Sequence, residues 1–183
     1  MNRLASPAQL RASFFRWALF LMPLVLLLGF MSGKMGSSAD SPWFAALVKP
    51  STFPPPATFG IVWTVLYAMM GVAFALVCAA WGARYRGAAI ALFVVQLLIN
   101  LAWSPVFFAL HEIKIALAVI LALDVVVLIT VAVFWRVRRL AAWLLVPYVL
   151  WILFATVLNW QFLELNPQAD GANASYAVQR IEL

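Results

Sequence analysis

Apolar residues fill five long blocks of the chain, and polar residues lie mostly in the short segments between them. The blocks cover residues 14–33, 59–81, 88–110, 113–135 and 140–163. Each is long enough for the roughly 20 residues that a helix needs to cross a bilayer. They are apolar on all sides, whereas the strands of a membrane barrel alternate polar and apolar residues. The pattern therefore predicts an all-α integral membrane protein, a bundle of five transmembrane helices.

Composition supports the same class, because 67% of the residues are apolar and only 10% are charged. A soluble domain carries roughly a quarter charged residues. We divide the chain into a basic N-terminal tail (1–13), a membrane domain (14–165) and a polar C-terminal tail (166–183) that we expect to fray. The first block also fits a secretory signal, an alternative that its length disfavours.

Charge is distributed unequally between the two ends of the predicted bundle. With five spans, the N-terminal tail, the second-to-third loop and the fourth-to-fifth loop share one side. The charged residues there are all arginines: Arg3, Arg11, Arg16, Arg84, Arg86, Arg136, Arg138 and Arg139. The positive-inside rule then predicts a cytoplasmic N-terminus. Because the arginines are split among short loops beside the membrane, we expect a lipid bilayer and no nucleic acid as partner.

Few residues suit metal or nucleophilic chemistry. Cys78 is the only cysteine and His111 the only histidine, so no Cys/His metal cluster can form. We interpret His111 as a solvated turn residue. The sequence also lacks a phosphate loop, a nucleophile elbow and an HExxH motif. We therefore expect no metal site and no required cofactor.

The segment 34–58, which we call loop 1, is long and rich in proline. A loop of this length in a compact bundle is usually functional, and its prolines reduce the freedom that folding must remove. It runs into a helix that places Trp63, Tyr67 and Met70 on one face. We interpret loop 1 as a lid over an aromatic helix face, an arrangement suited to a flat apolar ligand. The lid candidates are Trp43, Phe53, Pro54 and Pro55.

Polar residues inside the spans are costly in lipid and are the next candidates for function. The third span carries Gln96, Asn100, Trp103 and Phe107 on one stripe, and the fifth carries Trp151, Ala155 and Asn159, with Leu158 beside them. The amides have an alternative role as hydrogen-bonding links between helices. Asp124 in the fourth span is a proton site, a buried structural acid paired with an amide, or a neutral protonated carboxyl, and we favour the structural role.

Proline and tryptophan add two further expectations. Pro105 and Pro147 should disturb the third and fifth helices. Tryptophans near block ends are typical of an interface belt. Those that fit this pattern are Trp17, Trp43, Trp81, Trp135 and Trp143, so Trp43 has both interpretations.

Three segments resemble the translocator protein family, also called the tryptophan-rich sensory protein family. They are WTVLYAMMG (63–71), NLAWSPVFF (100–108) and AWLLVPYVLWILFATVLNW (142–160), in the family's order. The resemblance implies a five-helix bundle with a pocket capped by loop 1, usually dimeric, in a bacterial cell membrane. It implies binding of porphyrin or haem as ligand, and in bacterial members a light- and oxygen-dependent breakdown of protoporphyrin. That activity is linked to a tryptophan pair that here matches Trp63 and Trp151.

The resemblance and the helical stripes together give one candidate ligand-binding set. It consists of Phe59, Trp63, Tyr67, Asn100, Trp103, Phe107, Trp151, Ala155 and Leu158. We expect Asn100 to donate a hydrogen bond to a propionate or a pyrrole edge.

Two segments depart from the family pattern. The family loop reads KPxWxPP, whereas this chain has KPSTFPPP, with Thr52 in place of the tryptophan and Phe53 one position later. The end of the fifth span, ATVLNWQFLELN, lacks the basic residue of the family's sterol motif, so sterol recognition by that motif is not supported.

Two other functions remain open from the residues. A transporter of porphyrin, sterol or other small apolar molecules would use polar groups at several depths: Gln96, Asn100, Asp124 and Asn159. A structural or assembly protein would use small-residue seams such as Gly29-x-x-x-Gly33 and Gly71-x-x-x-Ala75.

Overall fold

A computed structural model describes residues 7–35 and 41–171 of the chain. Its helices are α1 (Pro7–Met35), the short α2 (Pro42–Ala46), α3 (Pro56–Cys78), α4 (Arg86–Ser104) with a π-helical turn (Pro105–Ala109), α5 (Ile113–Val137) and α6 (Arg139–Leu165). The helices α1, α3, α4 with its π turn, α5 and α6 are long and apolar enough to cross a membrane. The predicted fold class, an all-α bundle of five transmembrane helices, is confirmed.

The helices differ from the predicted blocks mainly at their ends. Helix α1 begins at Pro7, so the described part of the predicted basic tail is helical. Helix α3 ends at Cys78, before the predicted limit at Trp81. The Arg86 guanidinium donates to the Cys78 carbonyl oxygen at 3.1 and 2.9 Å, which satisfies a carbonyl that the ending helix leaves free.

The long helices pack as a ring in the order α1, α3, α6, α5, α4, and contacts of α4 with α1 close it. Helix α1 is thus a structural member of the bundle. Its approach to α3 depends on two glycines. A Cβ on Gly71 would lie 2.5 Å from the Met22 Cα, and a Cβ on Gly29 would overlap the Tyr67 ring. The predicted small-residue seam therefore lies inside the protomer, between α1 and α3.

Replacing Gly71 with alanine should destabilise the bundle. The new Cβ meets the backbone of Met22, which cannot rotate away, so helix α1 must shift. We expect a loss of about 1–3 kcal/mol in the free energy of unfolding, the usual range for overpacking, measured by thermal unfolding in detergent. Gly60→Ala is the matched control in the same helix, because its Cβ meets nothing within 4 Å. Equal stability of the two variants would contradict the close approach of the helices.

Tryptophans at the arginine-rich end of the bundle face outwards. Trp81, Trp135 and Trp143 are exposed, as an interface belt requires. The Arg86 guanidinium lies 4.0 Å from the Trp81 ring centroid, and that of Arg139 lies 5.6 Å from the Trp135 centroid. Charged groups and indoles therefore meet at the level where lipid headgroups would lie.

Candidate ligand-binding cavity

A cavity of about 480 Å³ lies inside the ring of helices, and loop 1 contributes to its lining. Every residue of the candidate ligand-binding set lines it. They are Phe59, Trp63 and Tyr67 from α3, Asn100, Trp103 and Phe107 from α4 and the π turn, and Trp151, Ala155 and Leu158 from α6. Residues far apart in sequence thus converge on one apolar, aromatic space.

Helix α3 supplies one aromatic wall. Phe59, Trp63 and Tyr67 follow each other at four-residue intervals and therefore share a face. The Trp63 and Tyr67 rings stack with centroids 5.2 Å apart. Met70, predicted to extend this face, is fully buried in the core and does not line the cavity. The cavity ends at the level of Tyr67, below which the helices pack directly.

The π turn after α4 shapes a second wall. Pro105 has no N–H and so cannot continue the α-helical hydrogen bonds. The Leu110 N–H donates to the Pro105 carbonyl oxygen at 3.0 Å, and this spacing of five residues is that of a π-helix. The predicted disturbance of the third helix at Pro105 therefore takes the form of this π turn. Trp103 and Phe107 stack across it with centroids 5.1 Å apart and an interplanar angle of 22°.

Helix α6 supplies a third wall, in which Trp151 is the largest side chain. Its ring meets the edge of Phe59 with centroids 5.7 Å apart. The indole Nε1 is buried and has no hydrogen-bond partner among the described residues, so packing alone positions the ring. Trp151 also lines an apolar groove of about 410 Å³, formed with residues of α3 and α6 that include the exposed Ile61, Val65 and Leu150.

A chain of hydrogen bonds crosses the floor of the cavity. Tyr67 Oη donates to Asn100 Oδ1 at 2.8 Å, Asn100 Nδ2 to Tyr148 Oη at 3.1 Å, and Tyr148 Oη to Gln96 Oε1 at 3.0 Å. The amides therefore link α3, α4 and α6. Asn100 lines the cavity, but these bonds engage its oxygen and one amide hydrogen, which leaves one N–H for a ligand. Tyr148 was missed from the sequence, although a phenol beside Pro147 in an apolar span was a usable signal.

Asn159 and Asp124 make hydrogen bonds between helices. Trp103 Nε1 donates to Asn159 Oδ1 at 3.0 Å, and Asn159 Nδ2 donates to the Ile113 carbonyl oxygen at 3.0 Å. Asp124 accepts a hydrogen bond from Thr156 Oγ1 at 2.8 Å, which ties α5 to α6. Neither Asp124 nor Gln96 lines the cavity, so these two do not extend a polar path from it.

Loop 1 places two phenylalanines against the cavity. Phe53 lies 5.2 Å from Phe59 and 5.5 Å from Phe162, between ring centroids. The shifted aromatic of KPSTFPPP thus still faces the cavity. Phe44, which the sequence analysis missed, is buried and lines it too. The apolar pair that Phe44 forms with Trp43, between two prolines, was the available signal.

The other three lid candidates do not line the cavity. Pro54 and Pro55 lie in the extended segment that leads into α3. Trp43 is 3% exposed, so its interpretation as an interface-belt residue is wrong. Its ring stacks on His111 with centroids 4.3 Å apart. His111 lies in the turn before α5, as predicted, and is half-buried.

Comparison with known proteins agrees with this architecture. The family profile described as TspO/MBR family matches residues 21–165. The chain belongs to the TspO/MBR family. The resemblance first seen in three segments is therefore confirmed over most of the chain.

Relatives in this family come from bacteria and from mammals. The chain is 39% identical to Tryptophan-rich protein TspO of Chlorobaculum tepidum over 145 residues, 79% of this chain and 92% of that protein. It is 35% identical to Tryptophan-rich sensory protein of Cereibacter sphaeroides over 158 residues, 86% of this chain and 98% of that protein. It is 38% identical to Translocator protein of Homo sapiens over 120 residues, 64% and 71% of the respective chains.

Two lysines of this TspO/MBR member lie near the lid. Lys34 lies at the end of α1 and is the one charged side chain among the described residues that line the cavity. Lys49 Nζ donates to the carbonyl oxygens of Phe44, Ala45 and Leu47, which end helix α2. Partial burial lowers the pKa of Lys49, because desolvation disfavours the charged ammonium. Among the described residues, Lys34 is thus the cation that lines the cavity.

The polar tail that we expected to fray is held in its described part, residues 166–171. Asn166 is buried and bonds to Val48 of loop 1. The Ala169 carbonyl oxygen accepts from Trp43 Nε1 at 3.3 Å. Loop 1 therefore rests on the segment that follows α6. Residues 172–183 lie outside the described part of the chain.

Proposed function

We propose that this membrane protein binds porphyrins or haem-like ligands in the cavity, for sensing, handling or light-dependent breakdown of tetrapyrroles. The observation that carries the proposal is the convergence of aromatic side chains from α3, α4 and α6 on one apolar cavity beneath loop 1. Its volume of about 480 Å³ lies within the roughly 300–1,000 Å³ usual for small-molecule sites.

A porphyrin offers a broad π surface that such walls can bind. Each aromatic contact contributes roughly 0.5–1.5 kcal/mol beyond the burial of area. Trp63, Trp103 and Trp151 present indole rings from three sides of the cavity. We propose recognition by shape and stacking, with no metal or other cofactor required, and with the remaining Asn100 N–H directed at a polar edge of the ligand.

The test of the proposal is a titration of purified protein with protoporphyrin, followed by quenching of tryptophan fluorescence. Tryptophans beside the macrocycle should be quenched saturably at an equimolar ratio. A shift of the porphyrin absorption band should follow the same curve. Quenching that never saturates, or that an equal amount of detergent alone reproduces, would overturn the proposal.

Lys34 should contribute to binding of a carboxylated porphyrin. The propionates are anionic and the ammonium lies at the cavity lining, so Lys34→Gln should weaken protoporphyrin binding about threefold, as for an exposed ion pair. Binding of the uncharged dimethyl ester should not change. Lys114→Gln is the matched control, since Lys114 lies in the first turn of α5 and not at the cavity. An equal loss for the ester would exclude an ion pair at Lys34.

We propose a bacterial cell membrane as the location, with the N-terminus in the cytoplasm. The arginines between α3 and α4 and around the start of α6 motivate this orientation. A reporter fused to the N-terminus should therefore report a cytoplasmic position, and a reporter fused to the C-terminus should report a position outside the cytoplasm. The reverse pattern would place loop 1 on the cytoplasmic side.

Family membership also leads us to propose a homodimer. Gly29 and Gly71 are in close contact with the neighbouring helix of the same protomer. A second copy would therefore have to pack on other helix faces.

A further inference from the structure

The side chain of Asn166 pairs with both backbone groups of one loop residue. The Val48 N–H donates to Asn166 Oδ1 at 2.8 Å, and Asn166 Nδ2 donates to the Val48 carbonyl oxygen at 3.0 Å. The two residues are 118 positions apart in the sequence. Asn166 is 8% exposed whereas Val48 is 58% exposed, so these bonds are partly shielded from competing water. The amide thus pairs with the loop backbone much as a neighbouring strand would.

Val48 lies between the two parts of loop 1 that face the cavity. Phe44 precedes it and Phe53 follows it, and both line the cavity. Fixing the backbone of Val48 therefore limits the movement of both rings. The same amide donates to the Phe162 carbonyl oxygen at 3.0 Å, and Phe162 is a cavity residue as well.

The segment after Asn166 is itself anchored to the bundle. Asp170 Oδ1 accepts from the Lys114 N–H at 2.9 Å, at the start of α5. The Gly171 N–H donates to the His111 carbonyl oxygen at 3.0 Å, in the turn before α5. Asn166 thus connects loop 1 to a segment that α5 and α6 hold in place.

We propose that Asn166 is the positioning residue of the lid, and that its pairing with Val48 sets how often residues 41–55 of loop 1 lift and how fast a ligand enters and leaves. The inference rests on the proposed binding function. In Asn166→Ala, the Val48 N–H and carbonyl lose their partners, and the closed loop gives them only partial access to water. Polar groups that lose a hydrogen bond in a partly buried place are costly, so the open state gains population by about tenfold.

A second contact between loop 1 and α6 provides a matched control. Thr52 Oγ1 donates to Gln161 Oε1 at 2.6 Å, but this bond is exposed. Water replaces such a bond at little cost. Thr52→Val should therefore leave loop opening unchanged, although it also removes a link between loop 1 and the end of α6.

The experiment measures amide hydrogen exchange of the loop without ligand and the rates of protoporphyrin binding and release. The proteins compared are wild type, Asn166→Ala, Asn166→Asp and Thr52→Val. Without ligand, amide hydrogen exchange of residues 43–53 should be about tenfold faster in Asn166→Ala, while the exchange of helices α3 to α6 stays unchanged. With protoporphyrin, stopped-flow association and dissociation should both accelerate. Asn166→Asp keeps the acceptor for the Val48 N–H but places a second acceptor oxygen against the Val48 and Phe162 carbonyl oxygens, so it should also speed the exchange of the loop.

Each arm can overturn the inference by itself. If the loop of Asn166→Ala exchanges at the wild-type rate, the pairing does not hold the lid. If exchange is faster throughout the bundle, the substitution acts on the whole fold and not on the lid. If Asn166→Ala does not fold, wild-type exchange in Asn166→Asp overturns the inference. Failure of the wild type to bind protoporphyrin would overturn the proposed function, and the ligand-free exchange would still decide the role of Asn166.

Discussion

Replacing Trp151 with alanine is expected to weaken protoporphyrin binding by about tenfold, because a lost aromatic contact of roughly 1.5 kcal/mol corresponds to that factor in Kd. Trp151 lines the cavity from α6 and its ring is held by packing rather than by a hydrogen bond within the described residues. Trp63→Ala should have a similar effect, since the Trp63 ring stacks on Tyr67 in the neighbouring wall formed by α3.

Porphyrin absorbance should be used for this measurement, because both substitutions remove a fluorophore. Trp160→Ala is the matched control, as Trp160 lies on the same helix but is exposed and outside the cavity. It should bind like wild type. Unchanged affinity in both Trp63→Ala and Trp151→Ala would place the ligand elsewhere in the molecule.

Illumination should bleach bound protoporphyrin faster in the wild type than in Trp63→Phe or Trp151→Phe. A photoexcited porphyrin can take an electron from a neighbouring indole, and dissolved oxygen is the oxidant that opening of the macrocycle would consume. The protein would supply positioning, and the porphyrin would supply the photochemistry. Both indoles line the same cavity, which is the geometry this role requires. Phenylalanine keeps much of the stacking but is far harder to oxidise.

The alternative is that the two tryptophans only stack on the ligand. The rate of loss of the porphyrin absorption band should be compared at saturating protein, in air and under argon. Thr52→Val serves as a control that leaves both indoles in place. If wild type and both phenylalanine variants bleach porphyrin at the rate of porphyrin in detergent alone, the catalytic role fails and the chain is a binding protein.

The sequence predicted the walls of the cavity well because helical periodicity fixes which residues share a face. Phe59, Trp63 and Tyr67 are one example, and Trp151 with Ala155 is another. Periodicity does not fix depth along the bundle. Met70 shares the direction of Tyr67 but lies beyond the cavity floor, where the helices close on each other.

Contacts between distant segments could not be predicted from local patterns. Trp43 lies in loop 1, between two apolar blocks, and its indole bonds to Ala169, 126 positions away. Asn166 begins a polar stretch typical of a frayed tail, yet it pairs with Val48. Both outcomes depend on how loop 1 and the end of α6 meet in three dimensions, and no repeat or motif in either segment specifies that.

The position of Trp151 between two spaces has a consequence for the boundary between protein and lipid. One indole lines both the internal cavity and the apolar groove between α3 and α6, so this ring forms part of the boundary between the two volumes. The size of the side chain at this position therefore affects whether acyl chains of the surrounding bilayer can reach the interior. A small residue there would merge both volumes into one compartment continuous with the hydrocarbon phase, and lipid tails would then compete with any flat ligand for the same walls.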